Sequence, residues 1–326
     1  MTAGFWTTLP KPFFVLAPLA DVTDAAFRRI IATYGKPHVL WTEFTSAEGL
    51  CASAHEPLLR NLLYTEAERP IVAQLWGATP ETMQQAAAAA AALGFDGIDL
   101  NMGCPDRRVE KRGAGAALCQ YPALAKALIR AAKRGAGSVP VSVKIRIGYT
   151  RNDIDTWLPA LLQEEPVAIT IHARTRQEKS DVPAHWEAVT QAVDIRRTLD
   201  SSTYIIGNGD VQDLSEARQK AHETECDGVM LGRAIFGNPW LFNVQRPRKS
   251  VPVAERLRVL AEHITLFDAL LGDVKSMACM KKHYKAYLTG FAGAECLRTQ
   301  LMATDTATEA IHRLRRKSSH LATRGD

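Results

Sequence analysis

The chain has 326 residues, 46% of them hydrophobic and 23% charged, with a formal net charge of +5 at pH 7. This composition excludes a disordered chain, and the length suits a barrel of about 250 residues with a small additional domain. No basic and apolar leader is present, and no apolar run approaches the roughly 20 residues of a membrane helix. We therefore expect a cytoplasmic protein without membrane association.

Short apolar runs rich in β-branched residues predict eight buried strands. The runs are residues 14–17, 39–42, 71–76, 97–101, 141–146, 168–172, 204–207 and 228–232. Between them, the clearest helices are predicted over 80–93, 122–134 and 214–223. Eight strands alternating with helices favour an α/β fold of the (β/α)8 TIM barrel type. The competing doubly wound sheet, if it bound a dinucleotide, would show a G-x-G-x-x-G motif after its first strand, and none is present there.

The strand pattern ends after Pro239. The segment Arg246-Pro-Arg-Lys-Ser250 predicts a linker, and helices are predicted over 252–271, 274–288, 294–302 and 306–317. We therefore predict a barrel domain over residues 1–245 and a helical-bundle domain over 246–326. The second domain carries 15 Lys and Arg against 8 Asp and Glu, a net charge of +7. This charge suits an anionic partner such as nucleic acid, although a solvated helical surface would have the same composition.

Polar residues follow the predicted strands at their carboxyl ends, where barrel active sites lie. The loops after the last two strands contain glycines that let backbone N–H groups approach an anion, which predicts a phosphorylated ligand. Plain turn glycines are the alternative. The strand-end candidates are Gln74, Lys144, His172, Asn208, Gly209, Asp210, Gly232 and Arg233.

The segment Asn101-Met-Gly-Cys-Pro105 is the sharpest local pattern. Its Gly and Pro predict a tight loop that places Cys104 at the barrel mouth. A thiol with a pKa near about 8.5 is protonated at neutral pH and can donate a proton. A buried structural cysteine is the alternative. The basic loop from Arg107 to Gly115 suits an anionic polymer, with a solvated loop as the alternative, and the cysteine spacing predicts no metal site.

Seven ordered segments together resemble the tRNA-dihydrouridine synthases, most closely the bacterial type-B branch. They are Leu16-Ala-Pro-Leu-Ala-Asp-Val-Thr-Asp24, Ala73-Gln-Leu-Trp-Gly77, Asn101-Met-Gly-Cys-Pro105, Val143-Lys-Ile-Arg146, Ile171-His-Ala-Arg-Thr-Arg176, Ile206-Gly-Asn-Gly-Asp210 and Gly228-Val-Met-Leu-Gly-Arg233. A later segment, Met280-Lys-Lys-His-Tyr-Lys285, is similar to the helical domain of that family. The ordered set is far more specific than any one motif.

The resemblance implies an enzyme that reduces the C5–C6 double bond of a uridine in tRNA. It implies that NADPH reduces a bound FMN, that the flavin delivers hydride to C6, and that Cys104 protonates C5. The implied FMN contacts are Pro18, Leu19, Gln74, Lys144, His172, Asn208, Gly209, Asp210, Gly232 and Arg233. The implied contact to the target uracil is Asn101, and the candidate RNA contacts are Arg174, Arg176, Lys281, Lys282, Lys285 and Arg298.

Two alternatives and two departures accompany this interpretation. The first alternative is an FMN-dependent barrel oxidoreductase acting on a small pyrimidine or an enone, and it does not account for the basic domain. The second is a non-enzymatic RNA-binding protein, and it does not account for Cys104.

Leu19 and Asp21 stand where the family often has Met and Gly. The loop over 177–186 lacks the Gly-Tyr-Ser-Gly run common in the family. We expect a monomer.

Overall fold

The computed structural model of the chain describes residues 3–52 and 56–322, with side chains up to residue 316. Its strands are β1 (Phe13–Leu16), β2 (Leu40–Trp41), β3 (Thr45–Ser46), β4 (Ile71–Trp76), β5 (Gly97–Met102), β6 (Val141–Arg146), β7 (Ala168–His172), β8 (Tyr204–Asn208) and β9 (Gly228–Leu231). Its helices are α1 (Ala25–Tyr34), α2 (Ala47–Leu50), α3 (Glu56–Leu59), α4 (Pro80–Ala92), α5 (Arg107–Glu110), α6 (Pro122–Ala136), α7 (Ile154–Leu162), α8 (Glu187–Thr198), α9 (Leu214–Thr224), α10 (Val253–Leu271), α11 (Lys281–Tyr287), α12 (Ala294–Met302) and α13 (Ala307–Ala322).

The strands form one parallel barrel, which confirms the predicted fold class. Their order is β1-β9-β8-β7-β6-β5-β4-β2, and a parallel bridge between Val15 and Val39 closes the ring between β1 and β2. All eight predicted strands are present, and β4, β6 and β7 have the predicted bounds. The second strand is shorter than predicted, and at its carboxyl end the N–H of Gln74 bonds to the Thr42 hydroxyl rather than to a backbone carbonyl. The two-residue β3 was not predicted, and it pairs with the end of β4.

Local signals explain where several helices begin and end. Asp24 and Asp213 cap α1 and α9 by accepting backbone N–H groups of the first turn, as aspartate does at N-caps. Pro80 is the first residue of α4. Gly94 follows the end of that helix with a φ of 82°, in the left-handed region that favours glycine.

The inside of the barrel has an apolar layer at its amino end. Trp6, from the 3-10 turn Gly4–Thr8, stacks on Tyr204 with ring centroids 6.1 Å apart and meets Trp41 edge-on at 6.2 Å. Phe13, the first residue of β1, contacts the same indole at 5.8 Å. Among the described residues, these aromatic side chains fill the amino end, which leaves the carboxyl end as the open side of the barrel.

The C-terminal helices pack on the outside of the barrel, mainly through α10 against α1. The apolar face of α10, with Leu260, Ile264 and Phe267, belongs to the same buried cluster as the layer between the strands and the barrel helices. The prediction of one helix over 274–288 is wrong in its first half. There, the Ser276 hydroxyl accepts the N–H of Ala278 and starts a separate 3-10 turn, Met277–Met280, ahead of α11. None of the helices in the described part of the chain combines the length and apolar character that a membrane crossing requires.

Candidate active site

A cavity of about 370 Å³ lies at the carboxyl ends of the barrel strands. This volume is within the range of roughly 300–1,000 Å³ that is usual for small-molecule sites. Its wall brings together most of the strand-end residues that the sequence singles out. They are Pro18, Leu19, Asn101, Cys104, Lys144, His172, Arg174, Asn208, Gly209, Asp210, Gly232 and Arg233.

The loop that carries Cys104 is held from two sides. The Asn101 Oδ1 atom accepts the backbone N–H groups of Gly103 at 3.2 Å and Cys104 at 2.9 Å. From β6, the Arg146 Nε atom donates to the carbonyl of Gly103 at 2.8 Å. Because these bonds fix the backbone of Gly103 and Cys104, the loop presents the thiol of Cys104 on the cavity wall.

A glycine on the following turn makes room for this loop. Gly115 has a φ of 62°, and a Cβ atom at that position would lie 2.6 Å from the Cys104 carbonyl oxygen. The next residue, Ala116, donates its N–H to the same carbonyl at 2.9 Å. Any side chain at position 115 would therefore displace the cysteine, which gives this glycine a direct structural role in the site.

The Cys104 thiol is protonated at neutral pH. Burial raises the pKa of Cys104 above its ordinary value, and the nearby Asp106 carboxylate raises it further. A backbone N–H from Asp106 and the Arg146 guanidinium oppose this rise but do not cancel it. A protonated thiol at the edge of a cavity is suited to donating a proton.

A buried polar network lies behind Asn101. The Asn101 Nδ2 atom donates to Gln74 Oε1 at 3.0 Å, and Gln74 Nε2 donates to Asp99 at 2.6 Å. The Ser142 hydroxyl donates to the other oxygen of Asp99 at 2.6 Å. Burial raises the pKa of the Asp99 carboxyl to about 6, in spite of these donors. Gln74 is fully buried and is not part of the cavity wall, so it supports Asn101 from behind.

Lys144 brings one ammonium group to the cavity. Its Nζ atom donates to Asn208 Oδ1 at 3.1 Å, and the Asn208 amide donates in turn to the carbonyl of Met230 at 2.8 Å. Burial, followed by the positive charge of Arg146, lowers the pKa of Lys144 to about 8. Burial also lowers the pKa of His172 well below its usual range, so this imidazole is neutral at pH 7. The cavity therefore holds a weakly acidic ammonium and a neutral imidazole.

Asp210 organises the loops after β7 and β8. Its carboxylate pairs with the guanidinium groups of Arg174 and Arg233 and accepts the N–H of Ala184 at 2.9 Å. The Arg174 side chain is 3% exposed, whereas that of Arg233 is 61% exposed. Arg233 is thus the cation of this group that an incoming anion can reach.

The loop over 177–186, which departs from the family pattern, forms one edge of the cavity. Lys179 and Ser180 lie on the wall, and the Arg146 Nη1 atom donates to the Lys179 carbonyl at 3.0 Å. Trp186 anchors the far end of the loop by donating its indole N–H to Gly209 at 3.0 Å. The other departure, Asp21, has a φ of 53°. Glycine adopts this backbone conformation freely, and aspartate is one of the few other residues that adopt it readily.

The candidate RNA contacts lie in three different settings. Arg174 is buried on the cavity wall, and its guanidinium is bonded to Asp210 and to the Val182 carbonyl, so it does not face the outer surface. Arg176 is paired with Glu110. The four candidates on the helical part are partly or fully exposed, with Lys281, Lys282 and Lys285 on α11 and Arg298 on α12.

Several residues on or beside the cavity were not among the predicted site residues. Arg146 could have been found from its spacing, because it follows Lys144 by two residues and therefore shares its inward face of β6. Phe44, Lys179 and Ser180 lie in irregular segments where no periodic signal exists. Among the described residues, no three His, Cys, Asp or Glu side chains cluster as a metal ion would require.

Comparisons with known proteins complete the description of the site. The dihydrouridine synthase (Dus) family model matches residues 15–323. A probable tRNA-dihydrouridine synthase 2 of Bacillus subtilis is 41% identical over 314 residues, which cover 95% of each chain. A probable tRNA-dihydrouridine synthase of Staphylococcus aureus is 39% identical over 313 residues, covering 95% of this chain and 94% of the relative.

Solved structures with the same fold are more distant. Morphinone reductase in complex with tetrahydroNAD superposes with a TM-score of 0.51 at 15% identity, covering 73% of this chain and 87% of that chain. Histamine dehydrogenase from Rhizobium sp. 4-9 gives a TM-score of 0.52 at 14% identity, covering 78% and 48%. At these identities the likeness concerns the barrel fold alone.

Proposed function

The chain belongs to the dihydrouridine synthase family, and we propose that it is an FMN-dependent tRNA-dihydrouridine synthase that reduces the C5–C6 double bond of a uridine in tRNA with electrons from NADPH. The observation that carries the proposal is a protonated thiol, that of Cys104, fixed on the wall of a cavity that also holds the Lys144 ammonium. The names of the curated relatives, which match 95% of the chain, agree with this activity.

The residues of the cavity fit a flavin mononucleotide. One part of the wall offers polar side chains for a heteroaromatic ring, namely Lys144, His172 and Asn208, and another offers the reachable cation Arg233 beside glycine-containing loops. An added Cβ atom at Gly232 would meet only Ala17, at 3.8 Å, so the backbone there is open to a close ligand. When bound, FMN would supply the hydride for the reduction.

We assign the cofactor contacts accordingly. Lys144 and His172 would contact the ring, with Pro18 and Leu19 flanking it and Gln74 acting through Asn101. Arg233 and the backbone of the glycine-containing loops would bind the ribityl chain and the phosphate. Asp210 would contribute its N–H, because its carboxylate would repel a phosphate and already orients the two arginines. The full set for the chain and phosphate is Asn208, Gly209, Asp210, Gly232 and Arg233.

The protein side of the reaction begins with access to the base. A uracil cannot be reduced inside a base stack, so it must be turned out of the RNA into the cavity mouth. Cys104 would then donate the proton to C5, since burial keeps its thiol protonated. Asn101 would keep the thiol in place through the Cys104 N–H and would contact the uracil edge. Lys144 would place positive charge where negative charge develops.

The division of labour between domains is part of the proposal. Residues 1–245 would form the catalytic barrel, and residues 246–326 the tRNA-binding domain of a monomeric, cytoplasmic enzyme. Lys281, Lys282, Lys285 and Arg298 would contact phosphates and so position the RNA without reading its bases. Arg176 would contact the RNA outside the cavity. Arg174, which lies on the cavity wall, would contact the target nucleotide that enters the cavity.

The test is mass-spectrometric mapping of dihydrouridine in tRNA from cells with and without this protein. We expect at least one dihydrouridine position to revert to uridine when the protein is absent. Wild-type protein should restore the modification, and the Cys104→Ala variant, expressed at the same level, should not. An unchanged set of dihydrouridines in the cells that lack the protein would contradict the proposal.

A further inference from the structure

A lysine of the helical part of the chain reaches the barrel beside the cavity. Lys275 follows α10, and its Nζ atom lies 2.7 and 2.9 Å from the two carboxylate oxygens of Glu43. It also lies 3.4 Å from a carboxylate oxygen of Asp21. The Lys275 side chain is 14% exposed and that of Glu43 is 5% exposed, so the ion pair is largely shielded from water.

Glu43 connects this lysine to two segments of the cavity wall. Its carboxylate accepts the backbone N–H of Asp21, the residue with left-handed backbone that ends the wall segment Pro18-Leu19-Ala20. The residue after Glu43, Phe44, lies on the wall as well. A shift of the Glu43 carboxylate would therefore move both segments.

The charge of Lys275 also acts on a third carboxylate, that of Asp24. Asp24 is buried while it caps α1 by accepting the N–H of Phe27 at 2.9 Å. Burial, and then the negative charge of Glu43, raise the pKa of Asp24 to about 6, and Lys275 acts against this rise. Without the lysine, Glu43 would be a buried charge lacking its cation, an arrangement that costs far more than an exposed charge does.

We propose that Lys275 and Glu43 are positioning residues for the reduction of tRNA. The pair fixes the distance and angle between the helical domain, where RNA phosphates bind, and Asp21 with the preceding wall segment 18–20 at the cavity mouth, where the target base enters. The inference rests on the proposed function and adds to it a structural link between RNA binding and the site of reduction.

Other polar contacts join the same two parts without reaching the cavity wall. Arg60 pairs with Asp273 at 2.7 Å, with side chains 40% and 57% exposed, and the Tyr34 hydroxyl donates to Glu262 at 2.7 Å. Asp273 lies only two residues before Lys275 in the chain. The Arg60–Asp273 pair is therefore a matched control, because losing it removes an ion pair between the same parts but leaves the cavity wall untouched.

The experiment compares purified, FMN-loaded Lys275→Met, Lys275→Arg and Asp273→Asn variants with wild type. Two rates are measured, the reduction of bound flavin by NADPH and kcat/KM for reduction of an unmodified tRNA transcript. We expect Lys275→Met to lower kcat/KM for tRNA about tenfold or more, as small misplacements of a substrate do. Flavin reduction should stay within about twofold, Lys275→Arg should recover most of the loss, and Asp273→Asn, which removes an exposed pair, should change either rate less than about twofold.

A second variant covers the case in which Lys275→Met does not fold. The double variant Glu43→Gln/Lys275→Met removes both charges of the pair, so Glu43 is not left as an unpaired buried charge, and it should show the same selective loss on tRNA. Equal losses in the two rates, or a loss of the same size in Asp273→Asn, would overturn the positioning role. Wild-type protein that fails to reduce any tRNA would contradict the proposed function instead.

Discussion

The two ends of the barrel are built from the same strands but are opposite in chemistry. Along β8, the inward positions change from Tyr204 at the amino end, through Ile206, to Asn208 at the carboxyl end. Along β7 they change from Ala168 to His172. The amino end is closed by stacked aromatic rings, whereas the carboxyl end holds a polar cavity.

This difference separates stability from chemistry along each strand. Trp6 is buried among apolar partners and stabilises the fold through the apolar area that it removes from water. Lys144 is a half-buried cation, and its lowered pKa indicates that folding acts against its charged form. Substitutions at the two ends should therefore have different consequences, which three predictions test, and a fourth concerns the helical domain.

The largest effect is expected at Cys104. Replacing it by Ala should lower the rate of tRNA reduction about 10²–10⁴-fold, the usual contribution of a positioned proton donor. FMN content and the free energy of unfolding should stay close to wild type, because the loop is held by Asn101 and Arg146 through its backbone. Single-turnover kinetics and thermal unfolding measure the two quantities.

The matched control is Cys119→Ala. Cys119 is a nearby thiol whose pKa burial raises to about 12, but it is not part of the cavity wall. The Cys119→Ala variant should retain the wild-type rate of tRNA reduction. Undiminished turnover in Cys104→Ala would remove Cys104 from the role of proton donor.

At the amino end, Trp6→Ala should act on stability alone. Removing the buried indole leaves a cavity among Phe13, Trp41 and Tyr204, which should lower the free energy of unfolding by about 3–5 kcal/mol. At temperatures where the variant is folded, kcat/KM for tRNA should match wild type. Denaturant titration and steady-state kinetics test both statements. Phe5 is a half-buried neighbour of Trp6, and Phe5→Ala should lower the free energy of unfolding by less than Trp6→Ala does. A selective loss of tRNA reduction in Trp6→Ala would break the separation between the two ends.

Lys144→Met should produce a smaller loss, with a defined pH dependence. We expect kcat/KM for NADPH to fall about 10–100-fold below pH 8, since a single charge-stabilising donor is removed. In wild type, kcat/KM should decline as pH rises through about 8, where the Lys144 ammonium loses its proton. The raised pKa of Cys104 keeps its thiol protonated in this range. The Met variant should lack this alkaline decline, which pH-dependent steady-state kinetics would show.

The same substitution has a predicted sign for stability. Because folding lowers the pKa of Lys144 from 10.5 to about 8, the unfolded chain binds more protons between these values, and stability rises with pH in that window. At pH 7 the charged lysine opposes folding, so Lys144→Met should be at least as stable as wild type. A less stable variant, or one that keeps the alkaline decline, would contradict the role assigned to the ammonium.

The smallest effect is expected on the helical domain. Lys282→Glu should weaken tRNA binding at low salt about tenfold, because it reverses a charge that we assign to a phosphate contact. NADPH oxidation should be unaffected. Lys36→Glu is the control, since Lys36 is exposed and precedes β2 at the amino end of the barrel. Equal tRNA affinity of the two variants, measured by filter binding, would remove α11 from the RNA surface.

The barrel could be predicted from the sequence because its strands are short and buried on both faces. The bounds of β4, β6 and β7 follow from apolar runs that end at turn residues. The two-residue β3 carries no such signal, since Thr45 and Ser46 form a strand only through pairing with the end of β4.

The site could be predicted in part, for a geometrical reason. Strand ends of a barrel meet at one face, so Lys144, His172 and Asn208 could be grouped without knowing their contacts. The contacts that join distant segments could not be predicted, because no periodicity relates the partners. Examples are Gly115 against the Cys104 carbonyl and Lys275 against Glu43, which are 232 residues apart in the chain.

The most direct test is an anaerobic single turnover with the FMN of the purified protein reduced beforehand and NADPH removed. On addition of unmodified tRNA, the flavin should reoxidise, and mass spectrometry should find one dihydrouridine formed for each flavin oxidised. Cys104→Ala should reoxidise far more slowly under the same conditions. A flavin that stays reduced in the presence of tRNA, or reoxidation without dihydrouridine, would contradict the proposed chemistry.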